Sequence, residues 1–253
     1  MVTPLHKKET IPLKVLEVIP ISHNVKKVRI ALPSSGDSLH LPVGFHVIVE
    51  EVVNGEKIHR PYTPVTTNSV KGYFDLVIKG YSGGLMSTCL HAKKMGDEVH
   101  VRGPVGHFRY KPRTHHQLLL LAGGTGITPM LQIMKNINEN VEDNTQAQLL
   151  YWNRNEDDIL LKEEIEHLCH NDNRLHATFF LTQPQQKDTL LPEIQVGRLK
   201  VEHLSPHIMH CPPEDRKDGD LLVLICGPEG FTTNAVESLH HYRLHRGKHY
   251  KKL

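Results

Sequence analysis

The chain is short of the features that mark several protein classes. Its four cysteines, Cys89, Cys169, Cys211 and Cys226, are widely scattered and form no Cys-x-x-Cys pair. That spacing excludes the zinc-ribbon, iron-sulfur and dithiol redox motifs and points to a reducing, intracellular compartment. No apolar run approaches the roughly 20 residues of a membrane span, and the opening Met-Val-Thr-Pro-Leu-His-Lys-Lys has no signal-peptide core. Neither an amino-terminal Met-Gly nor a carboxy-terminal prenylation box is present. A soluble protein without a membrane anchor is expected, in the cytoplasm or held by a partner at the cytoplasmic face of an organelle. The formal charge of +2 is too small for a nucleic-acid binder. A monomer is expected.

What is present falls into two rhythms. From residue 11 to 108, short β-type runs (13–18, 25–32, 46–52, 73–79 and 98–102) are separated by turn chemistry, including Asn54-Gly55 between two β-rich runs. Such a density of strands implies a small barrel or sandwich. One helix, 85–93, interrupts it. The polar stretch 110–117, which contains Pro112, reads as a linker. After it, apolar strands at 118–122, 147–152, 175–182 and 221–225 alternate with helices expected at 129–138, 159–170, near Pro206, and at 230–242. Strands this uniformly apolar, alternating with helices, argue a parallel sheet covered on both faces. The domain limits expected are 10–112 and 117–253.

Four segments carry chemistry. In Arg60-Pro61-Tyr62-Thr63-Pro64 two prolines stiffen an extended backbone that presents a cation, a ring and a hydroxyl, an arrangement suited to a flavin nucleotide; the alternative is a proline-rich turn with a core tyrosine. Val77-Ile78-Lys79 is followed by Gly83-Gly84-Leu85-Met86-Ser87, where glycines and free helix amides favour phosphate; the alternative is a simple helix start with Ser87 near the N-cap. In the third, an apolar strand runs into Gly123-Gly124-Thr125-Gly126-Ile127-Thr128-Pro129-Met130, with Thr128 placed as N-cap and Pro129 at the first helical position. Its strand-turn-helix setting favours nucleotide binding over mere chain reversal. The fourth, ending Cys226-Gly227-Pro228, delivers a sulfur to the carboxyl end of a strand, where it faces a nicotinamide, acts as a nucleophile, or is simply buried.

In this order and on these elements, Arg-Pro-Tyr-Thr-Pro, Gly-Gly-x-Met-Ser, Gly-Gly-Thr-Gly-Ile-Thr-Pro-Met and Cys-Gly-Pro resemble the NADH-cytochrome b5 reductase family, within the ferredoxin-reductase-like flavoproteins. Leu41-Pro-Val-Gly44, Val101-Arg-Gly-Pro-Val-Gly106, and Asn153 followed by Asp158-Ile-Leu-Leu are shared too. The short 81–83 loop looks like the reductase module of the cytochrome b5-fused oxidoreductases. The resemblance implies an antiparallel β-barrel FAD domain followed by a parallel-sheet α/β NAD-binding domain, with the cofactors meeting in a cleft. By matching motif, Arg60, Pro61, Tyr62, Thr63, Val77, Lys79, Gly84, Met86, Ser87 and Thr128 are expected around FAD. Gly124, Thr125, Cys226, Gly227 and Pro228 are expected around the nicotinamide, and Asp158 to favour NADH by repelling a ribose phosphate. Arg154 beside it leaves NADPH as an alternative donor.

Hydride transfer depends on alignment of donor and flavin more than on an acid or base, and Thr63, Lys79 and Cys226 are the candidates for that work. The acceptor implied is a cytochrome b5-type haem protein, attracted by basic clusters such as Lys26-Lys27-Arg29 or Lys93-Lys94. Rivals are the reductase component of another electron-transfer or oxygenase system, and a catalytically silent nucleotide-binding module. His241, His245 and His249 share a helical spacing, but no acidic or cysteine partner is fixed, and no metal is expected.

Overall fold

The computed structural model describes residues 3–185, 194–208 and 219–253. Cys211 lies outside them. The backbone divides into two compact units, the first running to Tyr110 and the second from Lys111.

The first unit contains strands β1 (Ile11–Ser22), β2 (Val25–Ala31), β3 (His46–Val53), β4 (Glu56–Tyr62), β5 (Tyr73–Lys79) and β6 (Glu98–Val105), and helix α1 (Leu85–Ala92). The strands lie in the order β4-β3-β6-β1-β2-β5, every neighbour antiparallel. One strand serves both halves of this barrel: β1 pairs with β6 over Ile11 to Lys14 and with β2 from Val15 onward. A register shift between Val15 and Glu17 supplies the bend. Asn54 (φ 54°) and Gly55 (φ 83°) both occupy the left-handed region, the requirement of the tight hairpin turn joining β3 to β4. The edge strands β4 and β5 are tied through the segment after β4, where the Val65 amide donates to the Asp75 carbonyl at 3.0 Å. Alternation on β5 turns Phe74, Leu76 and Ile78 into the core with Val28, Val49 and Leu90.

In the second unit, β7 (Gln117–Gly123), β8 (Gln146–Asn153), β9 (Leu175–Leu181), β10 (Ile194–Val196), β11 (Leu221–Cys226) and β12 (Tyr250–Lys252) form a parallel sheet in the order β10-β9-β8-β7-β11-β12. Helices α2 (Ile127–Glu139), α3 (Lys162–Asn171), α4 (Val201–Ile208) and α5 (Glu229–His241) cover it. Leu119 and Leu121 of β7 pack with Leu204, Ala235 and Leu239 from α4 and α5. Leu118 and Leu120, equally buried, face the other side, where α2 packs on β7 and β8. The chain winds from β7 outward through β8, β9 and β10, then returns to place β11 on the other flank of β7. That reversal makes the carboxyl ends of β7 and β11 the topological switch point, where such sheets bind ligands.

Two local expectations are corrected. Helix α2 starts at Ile127 with Gly126 as its cap. Thr128 is inside the helix, its hydroxyl donating to the Thr125 carbonyl at 3.2 Å, so it is not the N-cap. Helix α3 starts at Lys162, not 159, because residues 156–158 form a 3-10 turn and Leu161 is left-handed (φ 58°). Strands β10 and β12, three residues each, had no sequence signal. The last helix matches the expected 230–242 closely: α5 ends at His241, so His245 and His249 lie beyond it.

Candidate functional site

The residues expected around the flavin belong to the first unit, apart from Thr128. Arg60 and Tyr62 alternate along the edge strand β4 and so share a face. Arg60 is exposed, its guanidinium donating to the His59 carbonyl at 2.8 Å, and no carboxylate pairs with it among the described residues. Tyr62 is half-buried against the core, and burial raises its hydroxyl to about 12, with Arg60 pulling the other way. A neutral phenol therefore stands beside a free cation. Thr63 follows on the segment that crosses to β5. There Val77 and Lys79 alternate on the face opposite the core residues, Val77 buried and Lys79 partly exposed.

Helix α1 begins one turn after β5. Its first intrahelical bond, from the Thr88 amide to the Gly84 carbonyl, leaves the amides of residues 85–87 ahead of the helical ladder. Gly83 (φ 77°) has nothing within 4 Å of where a side chain would begin, so the approach to those amides is open. Ser87 is buried and already engaged: its hydroxyl accepts from the Tyr81 amide at 3.2 Å and donates to the Gly84 carbonyl at 3.0 Å. It shapes the turn that presents the amides. Met86 packs in the barrel core, which leaves its amide, rather than its side chain, for a ligand.

Of the residues expected around the nucleotide, Gly124, Thr125, Cys226, Gly227 and Pro228 gather at the switch point of the second unit. Cys226 is aligned with Ala122 across the β11–β7 ladder, so the two following turns emerge side by side. They interlock at Gly126, where an added Cβ would lie 2.2 Å from the Cys226 carbonyl oxygen and 2.7 Å from the Gly227 nitrogen. Gly124 is left-handed (φ 53°) with nothing within 4 Å of its Cβ position, so one face of this turn is bare backbone. Thr125 beside it is partly exposed. Gly227 and Pro228 pack on Gly123 together with the ring of Phe231, a residue the sequence did not single out.

Burial raises the Cys226 thiol to about 11, opposed only by the Gly227 backbone, so the sulfur is a neutral thiol and the nucleophile reading is set aside. Asp158 is 9% exposed at the end of the 3-10 turn, its amide capped by Asn155. Arg154 is exposed, with its guanidinium donating to the Gln183 side chain at 2.8 Å.

Several of the basic docking candidates are occupied within the fold. Arg29 binds Asp75 through both of its carboxylate oxygens (2.9 and 3.1 Å), reaches Glu17, and lies over the Tyr73 ring. Lys26 donates to the His91 carbonyl, and Lys93 pairs with Glu51 at 3.0 Å. Those charges hold strands and helix together. Among the described residues no group of three or more His, Cys, Asp or Glu is arranged to hold a metal.

Two family models match along the chain: the oxidoreductase FAD-binding domain over residues 12–110 and the oxidoreductase NAD-binding domain over 120–237. Human NADH-cytochrome b5 reductase 1 is 38% identical over 253 residues, covering 90% of this chain and 80% of its own. Among solved structures, the cytochrome b5 reductase domain of Ulva prolifera nitrate reductase is similar at a TM-score of 0.88, with 30% identity and all of both chains covered. The CS-b5R domains of human Ncb5or, in an NAD+ form, give 0.80 at 27% identity, covering 96% of this chain and 69% of that one. Barrel, parallel sheet and both matched domains describe an FAD-dependent oxidoreductase with NADH as donor, and the chain belongs to the NADH-cytochrome b5 reductase family.

Proposed function

We propose that this reductase delivers electrons singly to a cytochrome b5-type haem protein, with its site residues divided between the units as their motifs suggest. FAD, when bound, accepts hydride from NADH and releases the electrons one at a time. The residues present fit that group. The Arg60 guanidinium, which no carboxylate pairs among the described residues, and the amides of residues 85–87, open on the side of Gly83, suit a diphosphate. Pro61 fixes the backbone between Arg60 and Tyr62, the neutral Tyr62 phenol offers a ring to stack on, and Thr63, Val77 and Lys79 are proposed to contact the flavin. Met86, Ser87 and Thr128 are assigned supporting contacts, the first through its amide.

On the donor side, Gly124, Thr125, Gly227 and Pro228 are proposed to cradle NADH, with the uncharged Cys226 thiol beside the nicotinamide, where it excludes water without competing as a nucleophile. The interlock of Gly126 with Cys226 and Gly227 carries this reading, because it fixes two ligand-facing turns at one point of the sheet. Asp158 is proposed to favour NADH from within its turn. Arg154 is the cation through which NADPH would serve as a second donor.

The choice of acceptor rests on the names of the relatives. Stopped-flow mixing of the NADH-reduced protein with cytochrome b5 tests it. Haem reduction well above the rate given by free reduced flavin is expected; a rate no greater than that contradicts the acceptor while leaving the reductase intact.

A further inference from the structure

We propose that Tyr151 is a positioning residue of the NADH site: its hydroxyl aims the Thr125 amide at the dinucleotide, and Asn153 beside it is reserved for the nucleotide-bound arrangement. This rests on the assignment of Gly124 and Thr125 to NADH. Tyr151 is completely buried on β8, with its ring against Phe179. A phenylalanine would fill the same space, so the hydroxyl is there for its bonds.

Those bonds go to two loops at the carboxyl edge of the sheet. The hydroxyl donates to the Gly124 carbonyl at 3.0 Å and accepts from the Leu160 amide at 3.3 Å. One oxygen thus joins the glycine turn to the 156–161 segment, and its capture of the Leu160 amide accompanies the late start of α3. In a trans peptide the carbonyl and the following N–H point in opposite directions. Fixing the Gly124 oxygen, which the Ile127 amide of the 3-10 turn also reaches, therefore turns the Thr125 N–H away from the Tyr151 hydroxyl.

The second observation is Asn153, two residues on and on the same face of β8. Its side chain is 6% exposed, and among the described residues neither its amide nitrogen nor its amide oxygen has a hydrogen-bond partner. It lies beside the Tyr151 hydroxyl and favours its ionised form, which Asp158 opposes, but the contact falls short of hydrogen-bond geometry. A buried amide left unpaired at both atoms destabilises the fold, and such costs persist where the group has work in another state. Here that state is the turn settled on a dinucleotide.

Two variants of the FAD-loaded protein test this, Tyr151→Phe and Asn153→Leu, each with NAD+ affinity by calorimetry, half-saturating NADH, kcat and thermal melting. Both are expected to weaken NAD+ binding about tenfold and to raise half-saturating NADH alike, the change falling on KM rather than kcat. Asn153→Leu is expected to melt higher than the parent while binding more weakly, a combination that a structural role would not produce. NAD+ affinities within twofold of the parent in the variants that fold overturn the proposal; if Tyr151→Phe does not fold, Asn153→Leu decides. A parent protein not reduced by NADH would instead refute the donor-site reading itself.

Discussion

Replacing Gly126 by alanine isolates the interlock on which the proposed donor site depends. Gly126 has ordinary helical dihedrals (φ −63°, ψ −3°), so alanine brings no backbone strain there. The whole penalty is contact. The new Cβ would sit 2.2 and 2.4 Å from the carbonyl oxygen and carbon of Cys226 and 2.7 Å from the Gly227 nitrogen, all backbone atoms of a central strand and its turn. No side chain can rotate away, so β7 and β11 must part at their carboxyl ends. Overpacking in a well-packed interior costs about 1–3 kcal/mol, and a clash confined to backbone belongs at the upper end. At roughly 2–4 °C per kcal/mol for a chain of this size, the melting point should fall by about 6–12 °C.

Two milder replacements serve as controls. Gly124→Ala meets no atom within 4 Å and bears only the left-handed conformation, about 1–2 kcal/mol. Gly230→Ala, in α5 with nothing within 4 Å, should be neutral or stabilising by about 1 kcal/mol. Calorimetric melts of the three should rank Gly126→Ala lowest and Gly230→Ala highest. A Gly126→Ala protein melting within 1 °C of the parent would refute the interlock.

With its thiol raised to about 11 from 9.0, Cys226 should be alkylated by iodoacetamide about 100-fold more slowly at pH 8 than an unperturbed thiol, as followed by peptide mass spectrometry; free-thiol speed would contradict its neutrality. Asp172, held at about 2 rather than 3.8 by Arg174, contributes stability that is complete above pH 4 and lost as the pH falls through 2; the difference corresponds to about 2 kcal/mol. Asp172→Asn should therefore lose that part of the acid dependence of its melting point, and an unchanged acid profile counts against the pair. Arg60→Ala should weaken FAD binding about 10- to 100-fold, the value of a charge-assisted hydrogen bond, without a change in melting of the flavin-free barrel. Fluorescence titration with FAD measures it, and an affinity within twofold of the parent removes Arg60 from the site.

Sequence spoke most clearly where chemistry is local. Asn54-Gly55 declared its hairpin because few residue pairs tolerate two positive φ angles, and the unbroken leucines of β7 declared a strand buried on both faces. The glycine turns were legible as tight turns for the same reason, Gly124 and Gly227 both lying at positive φ. Partners distant along the chain were not. Strands β10 and β12 exist only because β9 and β11 offer parallel edges, and Tyr-Lys-Lys by itself carries no strand pattern. Thr128 had the chemistry of a cap, yet the tight 3-10 turn at residues 124–126 carried the helix start two residues forward. Arg29 looked like a docking charge until Asp75, 46 residues away, proved to be its partner. Asn153 stood out only as part of a shared motif and Tyr151 gave no signal, because their significance lies in which loops surround them.

The most direct test of the central claim is anaerobic mixing of the FAD-loaded protein with NADH while the flavin absorbance is followed. Bleaching of the bound flavin at a rate that saturates with NADH is the expected result. A protein that takes up no FAD, or one whose bound flavin stays yellow with excess NADH, would contradict it.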